Sequence, residues 1–360
     1  PQMAPAIEKA TRKEFPDGIP AYGTDALRFT FAALATTGRD IRFDLGRIDG
    51  YRNFCNKLWN AARFVMMQTA GEALRESSDP GPVDRWILSR MNRMLAEVDT
   101  HLEGYRLDLA AQALYEFTWN EYCDWYLELS KATLQSDDEN AQAATRHTLL
   151  HVLETTLRAM HPIMPFITEE IWQRVAPRLG IDGETIMLQP FPEAGATDET
   201  SEVDVAWLQA LIQGVRRIRS ELNLPPAQRL EVYLQGGGSS DRDRYRQFEA
   251  ALAALARIDS AEWVEPDYDS AQCAVALVGD LKVLIPLKGL VDVDEELSRL
   301  DRQLQKESAE LKKSRGKLGN SRFVENAPEA VVEQERQRLA THEANVSNLM
   351  DQVEQMKALR

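Results

Sequence analysis

The repeat of apolar residues in residues 292–360 limits the possible folds more than any other feature of the sequence. Apolar residues recur there in two runs at spacings of three and four. The first run comprises Leu297, Leu300, Leu304, Leu311 and Leu318, with Glu307 and Ser314 at the two remaining positions. The second comprises Val332, Glu335, Leu339, His342, Val346, Leu349, Val353 and Met356. Gly319-Asn320 and Ala327-Pro328 break the helix between the runs. Two such helices predict an antiparallel coiled-coil hairpin.

Most of the preceding sequence also has helical periodicity, which predicts a mainly α chain. Residues 25–178 are typical of an antiparallel helix bundle. Two of its predicted helices carry the series Ile87–Leu102 and Leu149–Met160, and a further helix beyond residue 178 carries the series Leu208–Leu222. A long helix over residues 107–134 holds six aromatic residues within a short run, and we expect most of them to lie in the core.

The pattern changes after Pro225-Pro226. Residues 230–234 and 283–287 are typical of strands, and residues 241–257 of a helix. A small mixed α/β module is therefore predicted. The expected division is a junction at 1–24, a helical domain at 25–228, the mixed module at 229–291 and the hairpin arm at 292–360.

Charge and composition exclude several classes of protein. The net charge of −15 argues against DNA binding, so nucleic acid would have to bind local basic clusters. No apolar stretch is long enough for a membrane helix, and the first residues carry no secretory signal. The widely spaced Cys55, Cys123 and Cys273 favour neither a disulfide framework nor a zinc site, which indicates a cytoplasmic protein. Because the chain opens with Pro1-Gln2, we expect a piece of a longer protein.

Motifs of known active sites are absent. The sequence contains no Gly-rich nucleotide loop, no Walker motif, no His-Glu-x-x-His and no Gly-x-Ser-x-Gly. His147 and His151 share a helix face, but no carboxylate accompanies them. We therefore expect no metal site and no catalytic residue in this chain, and look for binding surfaces instead.

The helix predicted at residues 51–66 has an unusual polar face. At 100° per residue, Phe54, Leu58, Ala61 and Val65 share the core face. The opposite face carries three amides, two cations and an aromatic ring. These residues, here called the polar stripe, are Asn53, Asn56, Lys57, Asn60, Arg63 and Phe64. Amides can read base edges, cations can hold phosphates and a ring can stack on a base. These residue types favour RNA recognition, and an ordinary solvated helix surface is the alternative interpretation.

Two clusters of positive charge support RNA binding. Residues 39–63, which include Arg39 and Arg42, carry a net charge of +3. Residues 306–322, near the tip of the hairpin, carry +4. The cations expected at the tip are Lys312, Lys313, Arg315, Lys317 and Arg322. A solvated coiled-coil surface is the alternative.

Three segments resemble class I aminoacyl-tRNA synthetases of the valine/isoleucine/leucine group. Residues 23–29 (GTDALRF) resemble the segment after their catalytic domain, and residues 161–172 (HPIMPFITEEIW) their anticodon-binding domain. Residues 51–61 (YRNFCNKLWNA) and the terminal hairpin are most similar to the valyl branch. The family's His-Ile-Gly-His and Lys-Met-Ser-Lys-Ser signatures are absent.

The resemblance implies the tRNA-binding part of a longer enzyme. That enzyme would attach valine to its tRNA with ATP and remove mischarged threonine in an editing domain. The polar stripe would read the A and C shared by valine anticodons. Arg39 and Arg42 would lie near the anticodon stem, and the hairpin cations at the outer corner of the tRNA. Asp25 and Arg28 would fix the junction to the catalytic domain.

The expected partners are valine tRNA and the catalytic and editing domains of the same protein. ATP is the expected cofactor of the catalytic domain, and no cofactor is expected in this chain. A monomer is expected. An isoleucyl or leucyl member, or a helical scaffold whose coiled-coil arm binds proteins, remains as an alternative.

Overall fold

The computed structural model describes residues 4–18, 20–36, 44–70, 79–288, 290, 293–320 and 328–358. Arg39, Arg42 and Arg322 lie outside these ranges. The chain divides into two compact units, Pro1–Trp207 and Leu208–Arg360.

The first unit is a helix bundle. Its helices are α1 (Ala4–Glu14), α2 (Thr24–Leu34), α3 (Leu45–Gln68), α4 (Pro82–Glu103), α5 (Leu107–Glu116), α6 (Leu127–Leu134), α7 (Glu139–Met160) and α8 (Pro165–Val175), followed by α9 (Glu199–Glu221), which continues into the second unit. Short 3₁₀ turns follow α8 at Ala176–Leu179 and Ile186–Leu188.

Local sequence explains where these helices begin. The side chains of Asp44 and Asp138 accept hydrogen bonds from backbone N–H groups in the first turns of α3 and α7. Pro82 and Pro165 occupy the first position of α4 and α8, where a missing N–H costs nothing. These residue choices therefore agree with the helix boundaries.

The core of the bundle follows the predicted periodicity. Phe54, Leu58 and Val65 of α3 are fully buried, which stabilises the fold by about 1.5–3 kcal/mol for each large side chain. Ile87 of α4 and Leu153 of α7 are also fully buried. The prediction of apolar core faces on these helices is confirmed.

The predicted long helix over residues 107–134 is interrupted by a π-helical segment at Phe117–Tyr126. In this segment hydrogen bonds span five residues, so the winding is wider than in an α-helix. The hydroxyl of Tyr122 donates to the carbonyl of Leu149 at 2.8 Å, and that of Tyr126 to Asp84 at 2.6 Å. Both rings are buried, as expected for most of the aromatic run.

The second unit contains a four-stranded mixed sheet. Its elements are β1 (Leu230–Gly236), α10 (Ser239–Leu255), β2 (Ile258–Val264), β3 (Cys273–Val278) and β4 (Leu281–Pro286). The strand order is β2-β1-β4-β3, with β1 and β2 parallel and the other pairs antiparallel. The sequence predicted β1, α10 and β4, whereas β2 and β3 were missed.

The hairpin consists of α11 (Val293–Leu318) and α12 (Glu329–Ala358). Its base packs Leu300 and Val353 against Leu287. Further along, the polar residues of the apolar repeat pair across the two helices. Ser314 donates a hydrogen bond to Glu335 at 2.8 Å, and His342 Nδ1 lies 2.7 Å from Glu307 Oε2. These paired polar layers fit a defined register between the helices.

The fold-class prediction is confirmed: the chain is mainly α, with a helix bundle, a small mixed sheet and a terminal helical hairpin. Among the helices of the described residues, none is long and apolar enough to span a membrane.

Candidate nucleic-acid interface

Helix α3 presents most of the polar stripe to solvent. Asn53, Asn56, Asn60 and Arg63 are exposed, while Phe54 and Leu58 on the other side are fully buried. Within the described parts of the chain, the side chains of Asn56 and Asn60 have no hydrogen-bond partner. Their amides therefore have both donors and acceptors available for a ligand.

Lys57 is held more firmly than its neighbours in the stripe. Its ammonium group forms an ion pair with Asp124 and lies 4.6 Å from the centre of the Trp119 ring. Asp124 and Trp119 both belong to the π-helical segment. The segment thus positions one cation of the stripe, and Lys57 is half-buried as a result.

Phe64, which the sequence places on the polar face of the helix, is half-buried. The ammonium group of Lys131, on α6, lies 5.6 Å from the centre of its ring. This distance is within the range of a cation–π contact. Phe64 and Lys131 therefore place an aromatic face and a second cation at the edge of the stripe.

The two cysteines near the stripe are not reactive groups. Burial raises the pKa of Cys55 to about 11 and that of Cys123 to about 12. A thiol with such a pKa is protonated at neutral pH and is a poor nucleophile. The chemistry of this surface is therefore hydrogen bonding, stacking and charge.

Asp25 binds the first turn of α8, and Arg28 binds the turn that precedes it. Their expected role at the junction to another domain stays a prediction. The carboxylate of Asp25 accepts the backbone N–H of Ile167 at 2.7 Å. Arg28 donates to the carbonyls of Pro162 and Ile163, both at 2.9 Å. The two motifs at residues 23–29 and 161–172 are therefore parts of one structural clamp.

The remaining motif residues are also structural. His161 Nδ1 lies 2.8 Å from the hydroxyl of Thr168, and burial lowers the pKa of His161. Trp172 donates its indole N–H to Glu154 at 2.9 Å, and Glu154 pairs with Arg158.

His147 and His151 stack with ring centres 6.1 Å apart. Burial and the neighbouring His147 lower the pKa of His151. In the part of the chain that the structure describes, no group of three or more potential metal ligands comes together.

Most hairpin cations are neutralised by carboxylates of α11 and α12. Arg315 pairs with Glu343 at 2.7 Å and Lys317 with Glu335 at 3.3 Å, both across the hairpin. Lys313 pairs with Glu310 on its own helix at 2.5 Å. Lys312 is exposed and has no ion-pair partner among the described residues. The net charge of +4 for residues 306–322 did not include the carboxylates of α12 that pair with these cations.

Two residues near the stripe escaped the sequence analysis. Trp59 of α3 is 36% exposed, and Arg174 of α8 lies with its guanidinium 6.0 Å from the centre of the Trp59 ring. The sequence could have identified Trp59, because it lies four residues before Arg63 and so on the same side of the helix. No sequence pattern could have identified Arg174, because its proximity to α3 depends on how α8 packs.

Two family models match the chain. The anticodon-binding domain of tRNA ligase matches residues 84–234, and the valyl tRNA synthetase tRNA binding arm matches residues 292–357. The polar stripe precedes the first match, and the hairpin coincides with the second.

Curated relatives include Valine--tRNA ligase from Xanthomonas campestris pv. campestris (strain B100), 52% identical over 98% of this chain. Another is Valine--tRNA ligase from Xylella fastidiosa (strain M23), 50% identical over 98%. The chain spans 38% and 37% of the lengths of these two relatives.

Among solved structures, the ternary complex of Agrobacterium radiobacter K84 agnB2 LeuRS-tRNA-LeuAMS matches with 17% identity and a TM-score of 0.37. That match covers 50% of this chain and 20% of the other, and no argument rests on it. Both models match in order and about half of the residues are identical to those of these relatives, so the chain corresponds to the part of valine--tRNA ligases that contains the anticodon-binding domain and the tRNA binding arm.

Proposed function

We propose that this chain recognises the anticodon of valine tRNA through the polar stripe on α3. The observation that carries the proposal is the row of exposed amides at Asn53, Asn56 and Asn60, beside the ring of Phe64. Amides that lack partners on the protein can hydrogen-bond to the edges of unstacked bases, and a ring at the edge can stack on one. Arg63 and Lys57 supply positive charge for the phosphates.

The hairpin is proposed as a second contact, at the outer corner of the same tRNA. Lys312 can meet a phosphate without breaking an ion pair, whereas Lys313, Arg315 and Lys317 would each have to exchange a carboxylate of the hairpin for it. The proposed stem contacts at Arg39 and Arg42, and a corner contact at Arg322, rest on the sequence alone.

The catalytic role is proposed for the longer protein. Because the relatives are valine--tRNA ligases that extend well beyond this chain, we propose that it acts with a catalytic domain that uses ATP and with an editing domain. Without the two ATP-binding signatures, this chain alone should give no valine-dependent ATP–pyrophosphate exchange. We further propose cytoplasmic location and a monomer.

A groove in the first unit is suited to contact those domains. It has a volume of about 540 Å³ and is lined mainly by apolar side chains, among them Phe31 and Leu107, which are 44% and 42% exposed. Arg28, which clamps the turn before α8, also lines it.

The proposed domains of the chain end at residues 24, 228 and 291, as expected from the sequence.

Equilibrium binding to purified tRNAs tests the proposal. Valine tRNA should bind more tightly than isoleucine tRNA, and added salt should weaken both complexes because phosphate contacts release counterions. Tighter binding of isoleucine tRNA would favour the isoleucyl alternative, and equal affinity for the two would mean that the chain does not read the anticodon. Absence of binding to any tRNA would favour a scaffold that binds proteins.

A further inference from the structure

An open groove lies between α3 and α8, next to the polar stripe. It has a volume of about 310 Å³, which is within the range of small-molecule sites. The residues that line it are Trp59, Ala62, Arg63, Met66, Met67, Ile171 and Arg174.

The walls of the groove are apolar but accessible. Trp59 is 36% exposed and Met67 is 63% exposed, while Ile171 is buried and closes the floor. Exposed apolar residues that cluster in a concave surface usually mark a binding site. A flat aromatic ligand fits these walls, because the indole offers a stacking face and methionine adapts to the shape of its partner.

The rim of the groove is positively charged. Arg63 is exposed and has no ion-pair partner within the described residues. Arg174 pairs with Glu170 at 2.6 Å, but an exposed pair of this kind contributes little free energy and can exchange for another anion. Two arginines around an aromatic wall suit a ligand that combines a flat ring with a negative charge, which describes a nucleotide.

The groove is continuous with the polar stripe through Arg63. At 3.6 residues per turn, Arg63 lies about 20° around α3 from Asn56, and Trp59 lies about 60° from it in the same direction. Phe64 lies about 80° from Asn56 in the opposite direction. A single RNA loop across α3 would therefore meet Phe64 on one side of the amides and Trp59 on the other.

We infer that the groove takes one nucleobase of the anticodon loop, adjacent to the bases read by the amides. This inference rests on the proposed function. The base is unstacked from its neighbours and stacks on the indole of Trp59, while Arg63 and Arg174 hold its phosphate. The loop is thus held on both sides of α3.

Binding of a valine anticodon stem-loop to Trp59 variants tests the inference. Trp59→Leu keeps apolar area but removes the extended aromatic face, so affinity should fall about 5- to 150-fold. Trp59→Phe should retain most of the affinity. Phe166→Leu is the matched control, since Phe166 is another exposed aromatic residue, on α8, and lies outside the groove lining. It should bind like the unmodified chain.

A scan of RNAs, each with one abasic nucleotide in the loop, then identifies the base. The effect of Trp59→Leu should disappear for a single loop position, because the interaction is already missing there. That position should differ from the one at which Asn60→Ala loses its effect. If the effect persists on every abasic RNA, Trp59 acts through the fold and the inference is wrong.

Failure of the inference can be separated from failure of the proposed function. If Asn60→Ala weakens binding and Trp59→Leu does not, the function stands and the groove holds no base. If the unmodified chain does not bind the stem-loop, both proposals fall. Circular dichroism and thermal unfolding of each variant verify that it is folded.

Discussion

The carboxylate of Asp25 caps a helix 142 residues further along the chain, with its Oδ2 atom 2.7 Å from the backbone nitrogen of Ile167. The residue before α8, Met164, has no side chain that could do so. Because the first turn of a helix has unpaired N–H groups and a positive partial charge, an acceptor there is stabilising. The cap ties α2 to α8, and α8 forms one wall of the groove next to the polar stripe.

Asp25→Ala should therefore lower the free energy of unfolding by about 0.5–2 kcal/mol, the usual cost of losing a cap. Urea denaturation followed by circular dichroism measures this directly. Asp17→Ala is the matched control, because Asp17 is exposed and has no partner among the described residues. Equal stability of the two variants would mean that the carboxylate contributes nothing to the first unit.

A second prediction concerns the ion pair between Lys57 and Asp124. Asp124→Asn removes a negative charge beside the stripe and releases Lys57 to contact RNA. Affinity for the anticodon stem-loop should rise a few-fold, and should depend more steeply on salt. Filter binding at several salt concentrations is the measurement.

The control for this experiment is Asp137→Asn, an exposed aspartate elsewhere in the bundle. It makes the same change in net charge away from α3. A similar gain for both variants would indicate general electrostatics. A loss of affinity in Asp124→Asn would indicate that the pair orients Lys57 and that the complex requires it.

The third prediction separates two lysines of the hairpin. Lys312→Glu should weaken binding of whole valine tRNA and reduce the log–log salt slope by about 0.7–0.9 for each lost contact. Binding of the anticodon stem-loop should be unchanged. Lys9→Glu is the matched control, because Lys9 is an exposed lysine of α1 and its substitution makes the same charge reversal far along the chain from the hairpin.

Lys317→Glu should act by a different route. It would place a second carboxylate beside Glu335, which is only 5% exposed. Hydrogen exchange in α11 and α12 should then accelerate. If Lys312→Glu instead lowers the affinity for both RNAs equally, the proposed corner contact is wrong.

The fourth prediction is a pH dependence. The hydrogen bond with His342 lowers the pKa of Glu307 from its ordinary value. The unfolded chain therefore binds the proton more readily than the folded one. The stabilisation is present above the ordinary glutamate pKa of about 4.3, and is lost as the pH falls through the lowered value.

Hydrogen exchange in α11 between pH 7 and pH 3 measures this effect, after correction for intrinsic exchange rates. Glu307→Gln should show a flatter profile on the acid side, since it lacks the titrating group. Glu354→Gln, an exposed position on α12, should keep the profile of the unmodified chain. Identical profiles in all three proteins would contradict the assignment to Glu307.

The sequence predicted elements whose apolar residues repeat strongly, and missed those that depend on partners. The buried side of α3 follows from Phe54, Leu58 and Val65 alone. Strand β2 begins at the buried Ile258, but most of its later residues are partly or fully exposed, so it lacks a clear alternation. In β3, Val275 and Leu277 are exposed apolar residues, which obscures its inner side.

Contacts between distant residues lay beyond the sequence for a physical reason. Lys57 and Asp124 meet because the π-helical segment packs beside α3, and no local pattern encodes that packing. The pairing of Arg315 with Glu343 depends on the register of the hairpin. Such contacts determine which cations are already paired, whereas the residues of the polar stripe follow from the sequence of α3 alone.

The proposed function requires that exposed amides of α3 read the valine anticodon. The direct measurement is the affinity of the chain for a valine anticodon stem-loop and for stem-loops with one anticodon base replaced. The unmodified chain should lose about 1–3 kcal/mol of binding free energy on a replaced base whose contact is lost. Asn60→Ala should bind the matched and replaced stem-loops almost equally. If Asn60→Ala and Asn56→Ala both discriminate as well as the unmodified chain, these amides do not read the anticodon.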